Sequence, residues 1–106
     1  MVASRSVEKG KPHYDLAAIR ATFVSVRTLR ITMTATRCAE DLSLTLADVV
    51  TIIQGMRRSQ FYKSMTSDSS TRVWQDVYHV PHDRLVLYVK ITVDAGGHLV
   101  ISFKEK

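Results

Sequence analysis

Gln75, Tyr88 and Lys104 carry an amide, a phenol and an ammonium group, and the strand pattern of the last third sets them side by side. An ammonium group stabilises negative charge, a phenol donates or orients a proton, and an amide hydrogen-bonds without titrating. Together they suit an anionic substrate. Taken singly, a strand lysine is ordinarily solvated and a strand tyrosine ordinarily packs, so the row alone does not establish a site. Other reactive residues form weaker sets. His79 and His82 flank Pro81 without a third ligand, and their expected place is beside a turn. His13 and His98 read as exposed, and Cys38 has no base near it in sequence. Asp68, Asp76, Asp83 and Asp94 are scattered and do not resemble a two-metal cluster, so no metal or cofactor is expected. Trp74, Tyr78, Phe61, Tyr62 and Met65 are expected to pack rather than to stack on bases.

The elements that must position the row are legible as a change of period. Leu16, Ile19 and Phe23 predict a helix over about 14–24, with Asp15 at its start. Val, Ile and Thr in Ser25–Thr34 suggest an edge strand exposing Arg27 and Arg30, and a short helix is expected around Thr36–Leu42. Thr45 and Asp48 have capping-box spacing, Leu44 and Val49 form a hydrophobic staple, and Gly55 marks the end of that helix. Ser59–Met65 extends as further helical turns and Thr66–Arg72 as a loop. Val73–Val80, Leu85–Val93 and Leu99–Phe103 then alternate with period two and read as an antiparallel meander. The class is α+β, with N-terminal helices packed on a C-terminal antiparallel sheet.

Opposed residues share a face, so strand parity and turn chemistry set the register. A three-residue loop at Ala95–Gly97 pairs Val89 with Phe103 and Tyr88 with Lys104. A turn within Val80–Asp83, with Pro81 at its second position, pairs Trp74 with Val89, Tyr78 with Leu85 and Gln75 with Tyr88. Asp76 then faces the core opposite Leu87, a place the sequence alone does not explain.

The 106 residues make one domain, read as a flexible arm over 1–10 and a single domain over 11–106. The longest apolar run, Leu85–Val89, is far short of the about 20 residues that cross a membrane, so no membrane partner is expected. No apolar block follows the basic residues of Met1–Lys11, and a single cysteine precludes an internal disulfide; the cytosol is the expected compartment. Net charge is +5, divided as +5 over residues 1–39, −3 over 40–56 and +3 over 57–106. A basic small domain points to a polyanion such as nucleic acid.

Four segments in order carry a family resemblance: Phe61–Thr66, Trp74–Tyr78, Lys90–Val93 and Ser102–Lys106. The chain closely resembles the motility quorum-sensing regulator toxins, densely from Phe61 to the end. Before that the match is limited to Pro12-His13, Leu16, Ile19 and the Leu42–Met56 region. The resemblance implies a fold similar to RelE and a metal-free endoribonuclease of a type II toxin–antitoxin pair. Its substrate would be single-stranded messenger RNA, cut at sites containing G-C. Its partner would be an antitoxin with a zinc-binding N-terminal domain and a DNA-binding C-terminal domain. The family's functional positions fall on Lys63, Gln75, Tyr88 and Lys104.

RNA brings its own nucleophile, the 2′-hydroxyl. Cleavage needs that proton removed, the phosphorus centre stabilised and the leaving 5′-oxygen protonated. Lys63 and Lys104 would supply positive charge, Tyr88 a proton, and Gln75 hydrogen bonds. A lysine serving as base would need its pKa lowered from about 10.4, and the assignment of acid and base stays open. Arg27, Arg30, Arg57, Arg58, Arg72 and Lys90 are candidates for RNA phosphate contact. The competing readings are a non-enzymatic RNA- or DNA-binding module and a transcriptional co-regulator; no helix-turn-helix is legible for the latter.

Overall fold

The computed structural model describes residues 7–67 and 70–106, with side chains described outside 67–72. Among the described residues three α-helices precede most of the sheet: α1 (Leu16–Thr22), α2 (Met33–Asp41) and α3 (Leu46–Gln54). Five strands among the described residues form one antiparallel sheet in sequence order: β1 (Glu8–Lys9), β2 (Phe61–Ser67), β3 (Ser70–His82), β4 (Leu85–Val93) and β5 (Leu99–Glu105). This is the expected α+β class.

Local chemistry accounts for the helix boundaries. The Asp15 carboxylate accepts the Ala17 N–H at the start of α1, and the Thr32 hydroxyl accepts the Ala35 N–H at the start of α2. Both halves of the Thr45–Asp48 capping box form, at 3.0 and 2.8 Å, and α3 closes at Gly55. The apolar faces of the helices meet one face of the sheet. Ile19, Phe23, Val49, Ile53 and Met56 pack with Tyr78, Val80, Leu87, Val89, Ile91, Ile101 and Phe103, all fully or nearly fully buried.

Several expectations are corrected. Ser25–Thr34 forms a 3₁₀ turn at Val26–Thr28 and a single parallel bridge, Ile31 to Ile101, rather than a strand. Ser59–Met65 is not helical beyond a 3₁₀ turn at Arg58–Gln60: β2 begins at Phe61, so Lys63 stands on a strand. Thr66 and Ser67 belong to β2, and β3 begins at Ser70, inside the span read as a loop. Glu8 and Lys9, read as part of a loose arm, pair with Met65 and Ser64.

The largest correction concerns the β3–β4 hairpin. Its strands run on to His82 and Leu85, closed by Asp83 and Arg84 with Asp83 at φ 52°. Aspartate tolerates that left-handed position because its short polar side chain can bond locally. Pro81 is a strand residue opposite Val86, not a turn residue. Next to the hydrogen-bonded pair that closes a two-residue hairpin comes a non-hydrogen-bonded pair, so the N–H that proline lacks would point away from β4. On that side β2 has already ended, its last partner being Phe61 opposite Tyr78. Pairing is therefore displaced by four residues: Tyr78 faces Val89, Val80 faces Leu87, and Asp76 faces Ile91 rather than Leu87. An even displacement preserves parity, and every side chain keeps its expected face. The β4–β5 hairpin matches the expected register throughout. Asp94 and His98 close a three-residue loop with Gly97 at φ 79°.

Candidate active site

One face of the sheet is taken by the helices; the other is open. Alternation puts Gln75, Val77 and His79 of β3, Tyr88, Lys90 and Thr92 of β4, and Ser102 and Lys104 of β5 on that open face. An irregularity in β2 between Phe61 and Lys63 turns consecutive residues, and Phe61 packs edge-on against Tyr78 in the core. Lys63 faces outward opposite Val77. Tyr62, expected to pack in the core, is 54% exposed.

Two neighbouring rows emerge. In the first, Lys104 lies opposite Tyr88, and Tyr88 lies opposite His79. The Lys104 ammonium stands 5.6 Å from the centre of the Tyr88 ring. The Tyr88 and His79 rings are 5.7 Å apart, and His79 in turn stacks on Tyr62 at 4.3 Å. In the second row, Lys63, Val77, Lys90 and Ser102 face one another across four strands, with fully buried Val77 as the floor. The Lys63 ammonium reaches back to within 5.5 Å of the Tyr62 ring centre, which closes the patch. Lys63, Tyr88, Lys104 and Lys90 are thus brought together. Gln75 shares the face but not the row. It stands opposite Met65, four residues from His79 along β3, roughly 13 Å at 3.3 Å per residue. The expected Gln75–Tyr88 pairing does not form, and His79 takes that place.

The Glu8 carboxylate accepts a hydrogen bond from the Lys63 ammonium at 2.9 Å. This bond holds the Lys63 pKa above the usual lysine range, against partial desolvation. Lys63 is therefore a fixed cation rather than a base. His79 shifts the other way: burial, and then the charge of Lys106, lower its pKa and favour the neutral ring. Burial pushes the Cys38 thiol up, away from the reactive thiolate.

Four of the candidate arginines lie elsewhere. Arg57 and Arg58 line a groove with Pro12, His13, Tyr14 and Arg20, and Arg58 covers the Phe61 ring at 4.9 Å. Arg27 and Arg30 line a second groove beside Gly97 and His98, where Arg30 approaches Asp94 at 3.8 Å. The side chain of Arg72 lies outside the described residues, as does Asp68.

Asp76 has a structural part. Its carboxylate, fully buried, accepts the His13 N–H at 3.0 Å and the Tyr14 N–H at 2.8 Å. It ties the segment before α1 to the sheet, and so sets where β1 brings Glu8 to Lys63. His13 stacks on Trp74 at 5.5 Å, with the Lys9 ammonium 4.1 Å from the indole centre. Among the described residues, no three His, Cys, Asp or Glu side chains cluster as metal ligands.

Lysines around a tyrosine on an open sheet face offer positive charge and a proton donor to an anion. The family model described as "Motility quorum-sensing regulator, toxin of MqsA" matches residues 11–105. The mRNA interferase toxin MqsR of Escherichia coli (strain K12) is 40% identical over 103 residues, covering 94% of this chain and 100% of that protein. The chain belongs to the motility quorum-sensing regulator toxin family.

Proposed function

We propose that this toxin is an endoribonuclease that cuts single-stranded messenger RNA, at sites containing G-C, without a metal ion. The observation that carries the reading is the convergence of Lys63, Lys90 and Lys104 around Tyr88 on the open sheet face. A scissile phosphate seated there meets ammonium groups from three strands. These stabilise the charge that builds on its oxygens as the 2′-hydroxyl attacks. Tyr88 protonates or orients the leaving 5′-oxygen, and Lys63, kept charged by Glu8, acts by its field. Gln75, two strand residues beyond Val77, hydrogen-bonds a neighbouring sugar or base rather than the reacting phosphate.

A cytosolic RNA cleaver requires restraint, and the family description supplies it in the form of an antitoxin. The partner has a zinc-binding domain and a DNA-binding domain. No helix among the described residues is long and apolar enough to cross a membrane. The test is incubation of the purified chain with a defined messenger RNA in EDTA. Cleavage at discrete internal sites, undiminished by the chelator, is expected. Binding without cleavage would instead identify a non-enzymatic RNA-binding module, and activity restored only by one divalent ion would overturn the metal-free mechanism.

A further inference from the structure

His79 sits between the two tyrosine rings of the lysine patch. Tyr62 of β2 stacks on it at 4.3 Å with planes 23° apart, and Tyr88 of β4 tilts against its other side at 5.7 Å. Its Nε2 is buried and has no hydrogen-bond partner among the described residues. An unpartnered buried nitrogen is costly, and where one persists beside charged groups it calls for an explanation in function. The groups facing it are nearly all cations or phenols: Tyr62 and Lys63 from β2, Tyr88 and Lys90 from β4, Lys104 from β5, and Lys106 just beyond it. Glu8 is engaged by Lys63.

We propose that His79 is the general base of the cleavage reaction, accepting the proton of the attacking 2′-hydroxyl at the nitrogen that lacks a partner in the free protein. This rests on the endoribonuclease reading above. In the step, the 2′-oxygen forms a bond to phosphorus as its proton passes to His79, and the bond from phosphorus to the 5′-oxygen breaks. The leaving oxygen takes a proton from Tyr88 or a flanking ammonium. The products are a 2′,3′-cyclic phosphate and a 5′-hydroxyl, and the imidazolium then returns its proton to solvent or to the depleted acid. Lys63 does not fill this role. It is held protonated, and a base at neutral pH must be largely unprotonated to begin with. Desolvation and Lys106 hold His79 neutral, the state from which a base works. Nε2 is out of water in the free protein, so an incoming nucleotide must displace part of its surroundings, the exposed Tyr62 ring stacked on the imidazole among them.

Single-turnover cleavage of a defined RNA oligonucleotide, followed from pH 5 to 9, tests this with the intact chain. For the parent the rate should rise with pH through a midpoint below the ordinary histidine value of about 6.5. His79→Gln, checked for folding by circular dichroism, should lose that limb and slow by about 10²–10⁴-fold. A variant that keeps the limb, or cuts at the parental rate, overturns the assignment. Should His79→Gln fail to fold, NMR titration of the His79 ring in the parent decides. Its midpoint must coincide with the kinetic limb of the free enzyme, and a mismatch overturns the assignment. A parent that cuts no RNA at any pH would refute the endoribonuclease reading itself, a different outcome from an active enzyme indifferent to His79.

Discussion

Replacing Asp76 by alanine removes the acceptor for the His13 and Tyr14 amides at the base of the sheet. The carboxylate is fully out of water. Its loss leaves two backbone N–H groups without their partner, each costing about 1–3 kcal/mol when buried. Both amides lie on one short segment that can shift together, so the costs do not add fully, and the expected loss is about 3 kcal/mol. Against the roughly 5–15 kcal/mol typical of a domain, that is a large fraction. With a urea m-value of about 1.5–2 kcal/mol/M, the midpoint should fall by about 1.5–2 M. Asp76→Asn retains one acceptor oxygen and should fall between parent and alanine. Urea titration followed by tryptophan fluorescence reads this directly, since Trp74 lies beside the lost contact. A loss under about 1 kcal/mol would show that water or a relaxed backbone replaces the carboxylate, and would refute its role as the anchor of the N-terminal segment.

Lys104→Ala removes an exposed side chain, so stability should change by no more than about 0.5 kcal/mol, while the cleavage rate should fall by about 10²–10³; parental rates from a folded variant would contradict the placement of the phosphate. Glu8→Ala removes the bond that raises the Lys63 pKa, so the Lys63 midpoint in an NMR titration should move down. The sign follows from linkage: the Lys63–Glu8 stabilisation is present at neutral pH and is lost as pH rises through the raised value in the parent. An unchanged midpoint would show that the pair does not persist in solution.

Faces were legible in the sequence; registers were legible only where the turn was. Alternation over Leu85–Val93 and Leu99–Phe103, with Gly97 at a left-handed position, settles the β4–β5 pairing to the residue. Pro81 misleads because proline suits a turn as well as a strand position whose N–H has no partner, and only the neighbouring strand's end distinguishes them. That ambiguity moves β3 by four residues. It exchanges Gln75 for His79 beside Tyr88 while leaving both on the expected face. In the sequence His79 reads as one of a pair flanking a turn, whereas it and His82 project from opposite faces of a strand. Its signal was the odd parity it shares with Gln75. β1 is two residues long, too short for any periodic pattern, and the role of Asp76 depends on a contact 62 residues distant. Lys63 came from family resemblance, and its strand begins directly after a 3₁₀ turn, where local pattern favours continued helix.

The reaction attributed to this sheet face depends on the substrate's own 2′-hydroxyl attacking a phosphate held among Lys63, Tyr88 and Lys104. The direct measurement uses an RNA oligonucleotide containing one mapped cleavage site, and the same oligonucleotide with a single 2′-deoxy nucleotide on the 5′ side of the cut, both in EDTA. The intact RNA should yield a 2′,3′-cyclic phosphate and a 5′-hydroxyl, and the deoxy substitution should abolish cleavage at that site alone. Cleavage of both at equal rates, leaving a 3′-hydroxyl and a 5′-phosphate, would contradict it.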